Sequence, residues 1–274
     1  MPLTGQHTYS SRLRLFDSHC HLDLPELAPE QTIHWRDAHQ AGVEKLLIPA
    51  VEQAAWLNLL QLHQQHSYWH IALGIHPWWA TKAAPDALNE LDALLAKHSP
   101  QITAVGEIGL DFALDADSFD AQAMLFSQQL KLASKYHKPV IMHHRKSQPQ
   151  LLAELKQQQF AEGGILHAFS GSQQQAKAFI DLGFKLGIGG TITYERAEKT
   201  HRTVQKLPLE SFVLETDAPS MPLAGYQGQV NTPAKLALVF ERFCQLRPEP
   251  PQQVAQQLWC NTHEVLRLDA TQAK

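Results

Sequence analysis

A chain of 274 residues with a hydrophobic fraction of 44% can bury a large core and has the span of one eight-stranded α/β barrel, so its length demands no second domain. Its formal net charge of -4 excludes a globally basic surface for polyanions, while a local basic groove stays open. No apolar run is long enough for a membrane span, residues 1–12 are polar without the apolar stretch of a signal peptide, and Cys20, Cys244 and Cys260 lie far apart. A cytoplasmic protein with free thiols, no membrane contact and no obligate protein partner is expected.

In chain order, short runs rich in Val, Ile, Leu and Phe fall at residues 13–16, 43–49, 70–74, 102–105, 139–142, 164–166, 184–188 and 212–214. Such runs suit strands buried on both faces, as in a parallel sheet. Between them, residues 54–66, 88–97, 119–136, 150–159, 173–182, 194–206, 233–246 and 251–266 carry apolar residues at helical spacing. Ser118, Ser172 and Thr232 with Pro233 stand where helix starts need caps, and Gly183 stands where a left-handed stop is wanted. Eight strand-like runs alternating with helices predict an α/β fold, a single TIM-type (β/α)8 barrel over residues 13–268 behind a polar extension over residues 1–12. The alternative, an open doubly wound sheet, lacks a Gly-rich dinucleotide loop or phosphate loop to support it.

The first run ends in Asp17-Ser18-His19-Cys20-His21. If the strand continues, alternation puts His19 and His21 on one face, where two imidazoles can share an ion. Alone, the pattern fits two half-buried histidines making ordinary hydrogen bonds better than it fits a metal pair. The other runs change that balance. His76 follows the third, Glu107 and Asp111 the fourth, His143, His144 and Arg145 the fifth, His167 the sixth, and Glu215-Thr216-Asp217 the eighth. All fall at the C-terminal ends of the expected strands, the rim where barrels gather catalytic groups. A set rich in imidazole with Glu107 and Asp217 suits zinc, manganese, nickel or iron better than calcium, and Glu107 has the chemistry to bridge two ions. Asp217 can serve as ligand, as general base toward a metal-activated water, or as both. His76 and Arg145 are the expected contacts to a substrate phosphate, and Asp17 and Asp111 are expected to order the imidazoles. Trp78 and Trp79 on the same rim can either stack bases or pack on helices, and Arg196, Lys199 and Arg202 read first as a solvated face.

The segments Asp17-Ser18-His19-Cys20-His21-Leu22-Asp23, Gly74-Ile75-His76-Pro77, Gly106-Glu107-Ile108-Gly109-Leu110-Asp111, Pro139-Val140-Ile141-Met142-His143, His167-Ala168-Phe169-Ser170-Gly171 and Leu214-Glu215-Thr216-Asp217-Ala218-Pro219 resemble those of TatD-family metal-dependent deoxyribonucleases, which are amidohydrolase-like metallo-barrels. The tracts 187–194 and 221–229 look most like the family's YjjV branch. The resemblance runs from about Phe16 to the C-terminus. It implies that His19, His21 and Asp217 hold one divalent ion, that Glu107 bridges, and that His143 and His167 hold the second; zinc, magnesium and manganese are the candidates. It also implies hydrolysis of DNA phosphodiesters, often from a 3′ end, and in such a reaction Asp217 and Glu107 are the expected catalytic carboxylates. The sequence departs from relatives at His144, expected to face away from His143, and at Lys146, where relatives are often acidic. Three functions stay open: a two-ion phosphodiesterase on DNA, the same site acting on a small phosphoester, amide or aminoacyl ester, and a barrel retained only for binding.

Overall fold

Consecutive Val, Ile and Leu leave a strand no face for water, so the apolar runs can rest only where both sides are covered. The computed structural model describes residues 13–268, so the expected extension over residues 1–12 lies outside the described residues. The runs form eight parallel strands: β1 (Leu15–Asp17), β2 (Val43–Pro49), β3 (Trp69–Leu73), β4 (Ile102–Asp111), β5 (Val140–Arg145), β6 (Gly164–Leu166), β7 (Phe184–Ile188) and β8 (Phe212–Leu214). Each pairs with its neighbour in sequence, from β1 to β8. The two ends of the sheet also meet. Ser18 N–H donates to the Leu214 carbonyl and Asp217 N–H to the His19 carbonyl, both at 2.9 Å. The buried Asp17 carboxylate accepts the Thr216 amide at 2.9 Å and its hydroxyl at 2.6 Å. The sheet is therefore a nearly closed TIM-type barrel, as the alternation of runs predicts.

The helices are α1 (Gln31–Gln40), α2 (Trp56–Gln65), α3 (Ala87–His98), α4 (Phe119–Lys135), α5 (Gln148–Gln157), α6 (Gln173–Ile180), α7 (Glu198–Lys206), α8 (Leu236–Gln245) and α9 (Pro251–Val265). Only α1 has no counterpart among the expected helices, because Ala38 is its single buried residue and no apolar stripe marks it. Ser172 caps α6 in a box with Gln175 and Gly183 takes φ +83 after it, as expected. Ser118 and Thr232 make no side-chain cap; Asp115 caps the 3₁₀ turn ahead of α4 instead. Among the described residues, no helix is long and apolar enough to cross a membrane.

Strand alternation divides the apolar side chains into two layers. Leu46, Ile48, Leu73, Met142 and Leu186 face the helices, whereas Phe16, Leu47, Ala72, Ala104, Ile141, Ile165 and Val213 fill the barrel with Trp259 of α9 beneath them. The inward parity then continues upward: Ile141 leads to His143, Ile165 to His167, and Val213 to Glu215 and Asp217. Two boundaries differ from expectation. β4 runs on to Asp111 and β5 to Arg145, so Glu107, Asp111 and His143 stand on strands rather than after them. β1 stops at Asp17, so His19 and His21 lie beyond it and strand alternation does not aim them.

Two buried glutamines of α4, one above the other at i and i+7, hold the rim in place. Gln129 accepts from Ile75 N–H at 2.7 Å and donates to Ile75 O at 3.1 Å. Gln122 accepts from Asp111 N–H at 2.8 Å and donates to Asp111 O at 3.2 Å. Each replaces the partner that a strand-end residue would otherwise lack in the core. Gln129→Leu should therefore lower stability by about 1–3 kcal/mol for the orphaned Ile75 groups, read as a lower urea midpoint. An unchanged midpoint would mean that water serves the rim equally well.

His70 sits on the inward face near the barrel floor, stacked on Phe16 at 5.4 Å. Burial, helped by the nearby Lys45 and His63, pulls its pKa from 6.5 down to about 3. The folded chain thus refuses a proton that the unfolded chain accepts, so stability falls as pH drops from about 6.5 toward about 3. Between about pH 7 and about pH 4, wild-type stability should fall faster than that of His70→Leu, by up to ~1.4 kcal/mol per pH unit. Parallel profiles in urea titrations would contradict this assignment.

Candidate metal centre

Glu107 is the middle of the barrel mouth. Its Oε2 lies 3.2 Å from His19 Nε2 and 3.6 Å from His21 Nε2. Its Oε1 lies 3.0 Å from both His143 Nδ1 and His167 Nε2. Asp217 Oδ1 completes the first pair, 3.5 Å from His19 Nε2 and 3.6 Å from His21 Nε2. The two imidazole nitrogens of His19 and His21 face each other at 3.0 Å. The sets His19–Glu107–His167, His19–His21–Asp217 and His76–Glu107–His143 each bring their ligand atoms within 4.8 Å of one another. The structure thus gathers all six residues of the expected ligand set and adds His76 to them.

The outward nitrogen of each ring decides which lone pair points inward. His21 Nδ1 donates to the Pro49 carbonyl at 3.1 Å, so Nε2 is the nitrogen turned to the centre. His143 Nε2 faces Asp111 Oδ2 at 3.3 Å, so Nδ1 is turned inward. His167 Nδ1 faces Glu215 Oε1 at 3.6 Å, so Nε2 is again the inward atom. His76 is the reverse case. Its Nδ1 accepts from the Trp78 amide at 3.1 Å, so its neutral ring carries the proton on Nε2, the atom 3.4 Å from Glu107 Oε1. His76 therefore donates into the site, whereas the other three rings, when neutral, offer lone pairs to a cation, which would bind in exchange for their protons. The donor chemistry fits divalent metal: inward-facing imidazole nitrogens and two carboxylates, in a buried cleft.

Electrostatics lead to the same conclusion. Burial acts to raise the Glu107 pKa, but His167, His76 and His19 with the His143 hydrogen bond hold it well below the ordinary range. Burial likewise acts to raise Asp217, and His21 with its neighbours pulls it down. Burial acts to lower His21, yet Asp217 and Glu107 lift it to about 9. The carboxylates keep their charge and demand positive partners around them.

Asp111 also accepts the indole N–H of Trp78 at 2.9 Å, so one buried carboxylate orders both His143 and an aromatic ring that is 55% exposed. Trp79 instead packs against the core. Asp17 binds Thr216 and the His19 amide rather than an imidazole, so it holds the β1–β8 seam and orders His19 only through its backbone. Arg145 is exposed, with Nη1 4.0 Å from Asp111 Oδ2. His144 points away from the cluster to Gln148, 3.2 Å from its Nδ1.

Glu215 has no role in the sequence reading. It is fully buried, accepts the Ala168 amide at 2.5 Å and backs His167. A Cβ at Gly187 would overlap its Oε2. The available signal was its inward parity with Asp217, together with glycines at Gly187 and Gly189 on and just after the adjoining strand.

With this geometry in place, known proteins can be set beside it. Residues 16–267 match the family described as TatD related DNase. The chain belongs to the TatD-related DNase family of metal-dependent hydrolases. It is 43% identical over 255 residues to the uncharacterized metal-dependent hydrolase YjjV of Escherichia coli, covering 93% of this chain and 98% of that protein. It is 39% identical over 262 residues to an uncharacterized metal-dependent hydrolase of Haemophilus influenzae, covering 92% of this chain and 99% of that protein. The crystal structure of the Escherichia coli YjjV superimposes with a TM-score of 0.90 at 42% identity, covering 94% of this chain and all of that one.

Gly187→Ala should displace the Glu215 carboxylate and leave His167 unanchored. Metal affinity should then fall about 10- to 100-fold, the usual consequence of losing a ligand's outer partner. Full metal occupancy by elemental analysis, in this variant purified without chelator, would show that Glu215 does not order the site.

Proposed function

We propose that this chain is a two-ion phosphodiesterase acting on DNA, the reading that the family's name and the split of Glu107 between two imidazole pairs support best. A carboxylate with one oxygen toward each pair suits a bridge between two divalent ions, with His19, His21 and Asp217 on one side and His143 and His167 on the other. Zinc and manganese fit the imidazole-rich set most closely, and magnesium is the third candidate. Divalent ions bound there would lower the pKa of a coordinated water and polarise a phosphoryl oxygen.

The chain's own residues supply the remaining steps. Asp217 is the more accessible of the two carboxylates, its side chain 13% exposed against 3% for Glu107, and it accepts the proton of the attacking water. His76, in the tautomer its Trp78 hydrogen bond favours, offers its Nε2–H as a hydrogen-bond donor to a phosphate oxygen. Arg145 neutralises a flanking phosphate from the rim. Free thiols at Cys20, Cys244 and Cys260 suit a cytoplasmic setting, and neither a membrane nor a standing protein partner enters this scheme.

A second reading keeps the site and changes the substrate to a small phosphoester, amide or aminoacyl ester. The net charge of -4 favours it, since no general attraction draws DNA to this surface. End-labelled single- and double-stranded DNA, incubated with zinc, manganese or magnesium beside a panel of small esters, separates the two. DNA should be shortened by the wild type, and Asp217→Asn should slow this by about 100- to 10,000-fold with little change in thermal midpoint. Intact DNA with rapid turnover of a small ester would replace the first reading with the second.

A further inference from the structure

Beyond the metal centre, the rim opens into a cavity of about 790 Å³ bounded by the loops that follow β6, β7 and β8. Three of its lining residues are cations: Arg196, Lys199 and Arg202. Lys199 and Arg202 stand at i and i+3 on α7, so they share a helix face. Arg202 pairs with Glu198 at 3.2 Å. Arg196 lies over the Tyr194 ring at 4.8 Å, and neither it nor Lys199 has an ion-pair partner among the described residues. One carboxylate against three cations leaves this cavity positive, in a chain whose net charge is negative.

The cavity is also built rather than loose. Tyr194 donates its hydroxyl to the Pro222 carbonyl at 2.8 Å, and Ala224 N–H donates to Thr193 Oγ1 at 2.8 Å. These bonds tie the β7 loop to the β8 loop. The Tyr194 ring, 4.8 Å from the Arg196 guanidinium carbon, positions this cation without consuming its N–H donors, which remain for an anion. The opposite wall is close to the reacting centre in sequence. Ser170 follows His167 by three residues and Met221 follows Asp217 by four, so these walls lie within roughly 10–14 Å of the ligand backbones. Phosphates spaced about 3.4 Å along a stacked strand would span that gap in a few nucleotides.

We infer that this cavity is a second phosphate-binding subsite, which takes the backbone of a single nucleic-acid strand a few nucleotides from the bond being cut. The inference rests on the DNA reading above and deepens it: the preferred substrate is an oligonucleotide rather than a dinucleotide or a small diester. Contacts here raise affinity without touching the reacting atoms, so they act on binding more than on the chemical step.

The experiment compares wild type with a triple variant, Arg196→Ala, Lys199→Ala and Arg202→Ala, all at exposed positions. Anisotropy of a dye-labelled single-stranded 20-mer reports binding, and hydrolysis of that 20-mer and of bis(p-nitrophenyl) phosphate reports turnover. The triple variant should bind the 20-mer at least about 10-fold more weakly, with a salt slope reduced by about 0.7 for each phosphate that the missing cations no longer neutralise. Its rate on the small diester should stay at the wild-type level, and Glu198→Gln should bind the 20-mer more tightly. Equal binding and an equal salt slope in wild type and triple variant would overturn the subsite. If wild type binds the 20-mer through these residues without cutting it, the subsite stands and the DNase reading falls; if wild type does not bind it, both fall.

Discussion

The position of one side chain organises the mouth of this barrel: Glu107, buried with one oxygen toward His19 and His21 and the other toward His143 and His167. A buried carboxylate is costly unless it is compensated on each of its oxygens. Here the compensation comes from three directions of the chain, since the four rings belong to the segment after β1, to β5 and to the segment after β6. No local stretch of sequence can provide that arrangement. It exists only when the barrel has closed, which makes closure and site formation one event. The β1–β8 seam carries particular weight for that reason, because Asp17 and Thr216 join the strands whose ends deliver His19, His21 and Asp217.

Around Glu107 stands a second set of buried polar groups whose work is orientation. Pro49 O, Asp111 and Glu215 each face the outward nitrogen of one ring, and the Trp78 amide faces that of His76. A histidine presents one lone pair when neutral, so these partners choose between a ligand and a donor. The glutamines of α4 reach from outside the barrel to hold Ile75 and Asp111, which extends the same control to the strand ends.

Much of this was legible in the sequence, and the reason is periodicity. Continuous apolar runs announced the strands, and the placement of chemical residues after each run announced the rim, because a barrel puts every strand's C-terminal end on one face. What could not be read was anything set by contact across the barrel. The aim of His19 and His21 comes from packing beyond β1, not from strand alternation. Helix α1 lacks an apolar stripe and so gave no signal. Glu215 sat beside a more conspicuous aspartate, and its role depends on the space left by Gly187 on the neighbouring strand. The same limit applied to Arg196, Lys199 and Arg202. In sequence they form a polar helix face, and only the loops of β6 and β8 turn that face into the wall of a cavity.

The distribution of charge makes the reading of the site coherent with a chain of net charge -4. Asp111, Glu107, Glu215 and Asp217 are all buried at the mouth, and without an ion their charge is balanced by protons on the surrounding imidazoles, His21 among them, rather than by any group aimed at an incoming phosphate. Divalent ions held among the histidines would displace those protons and bring positive charge to the centre of the mouth. The fixed positive side chains stand further out, at Arg145 and along α7, where on the proposed reading they would meet a backbone rather than the bond to be broken. On that reading, discrimination between a long polyanion and a small ester would fall to the outer ring of residues, which can change without disturbing Glu107.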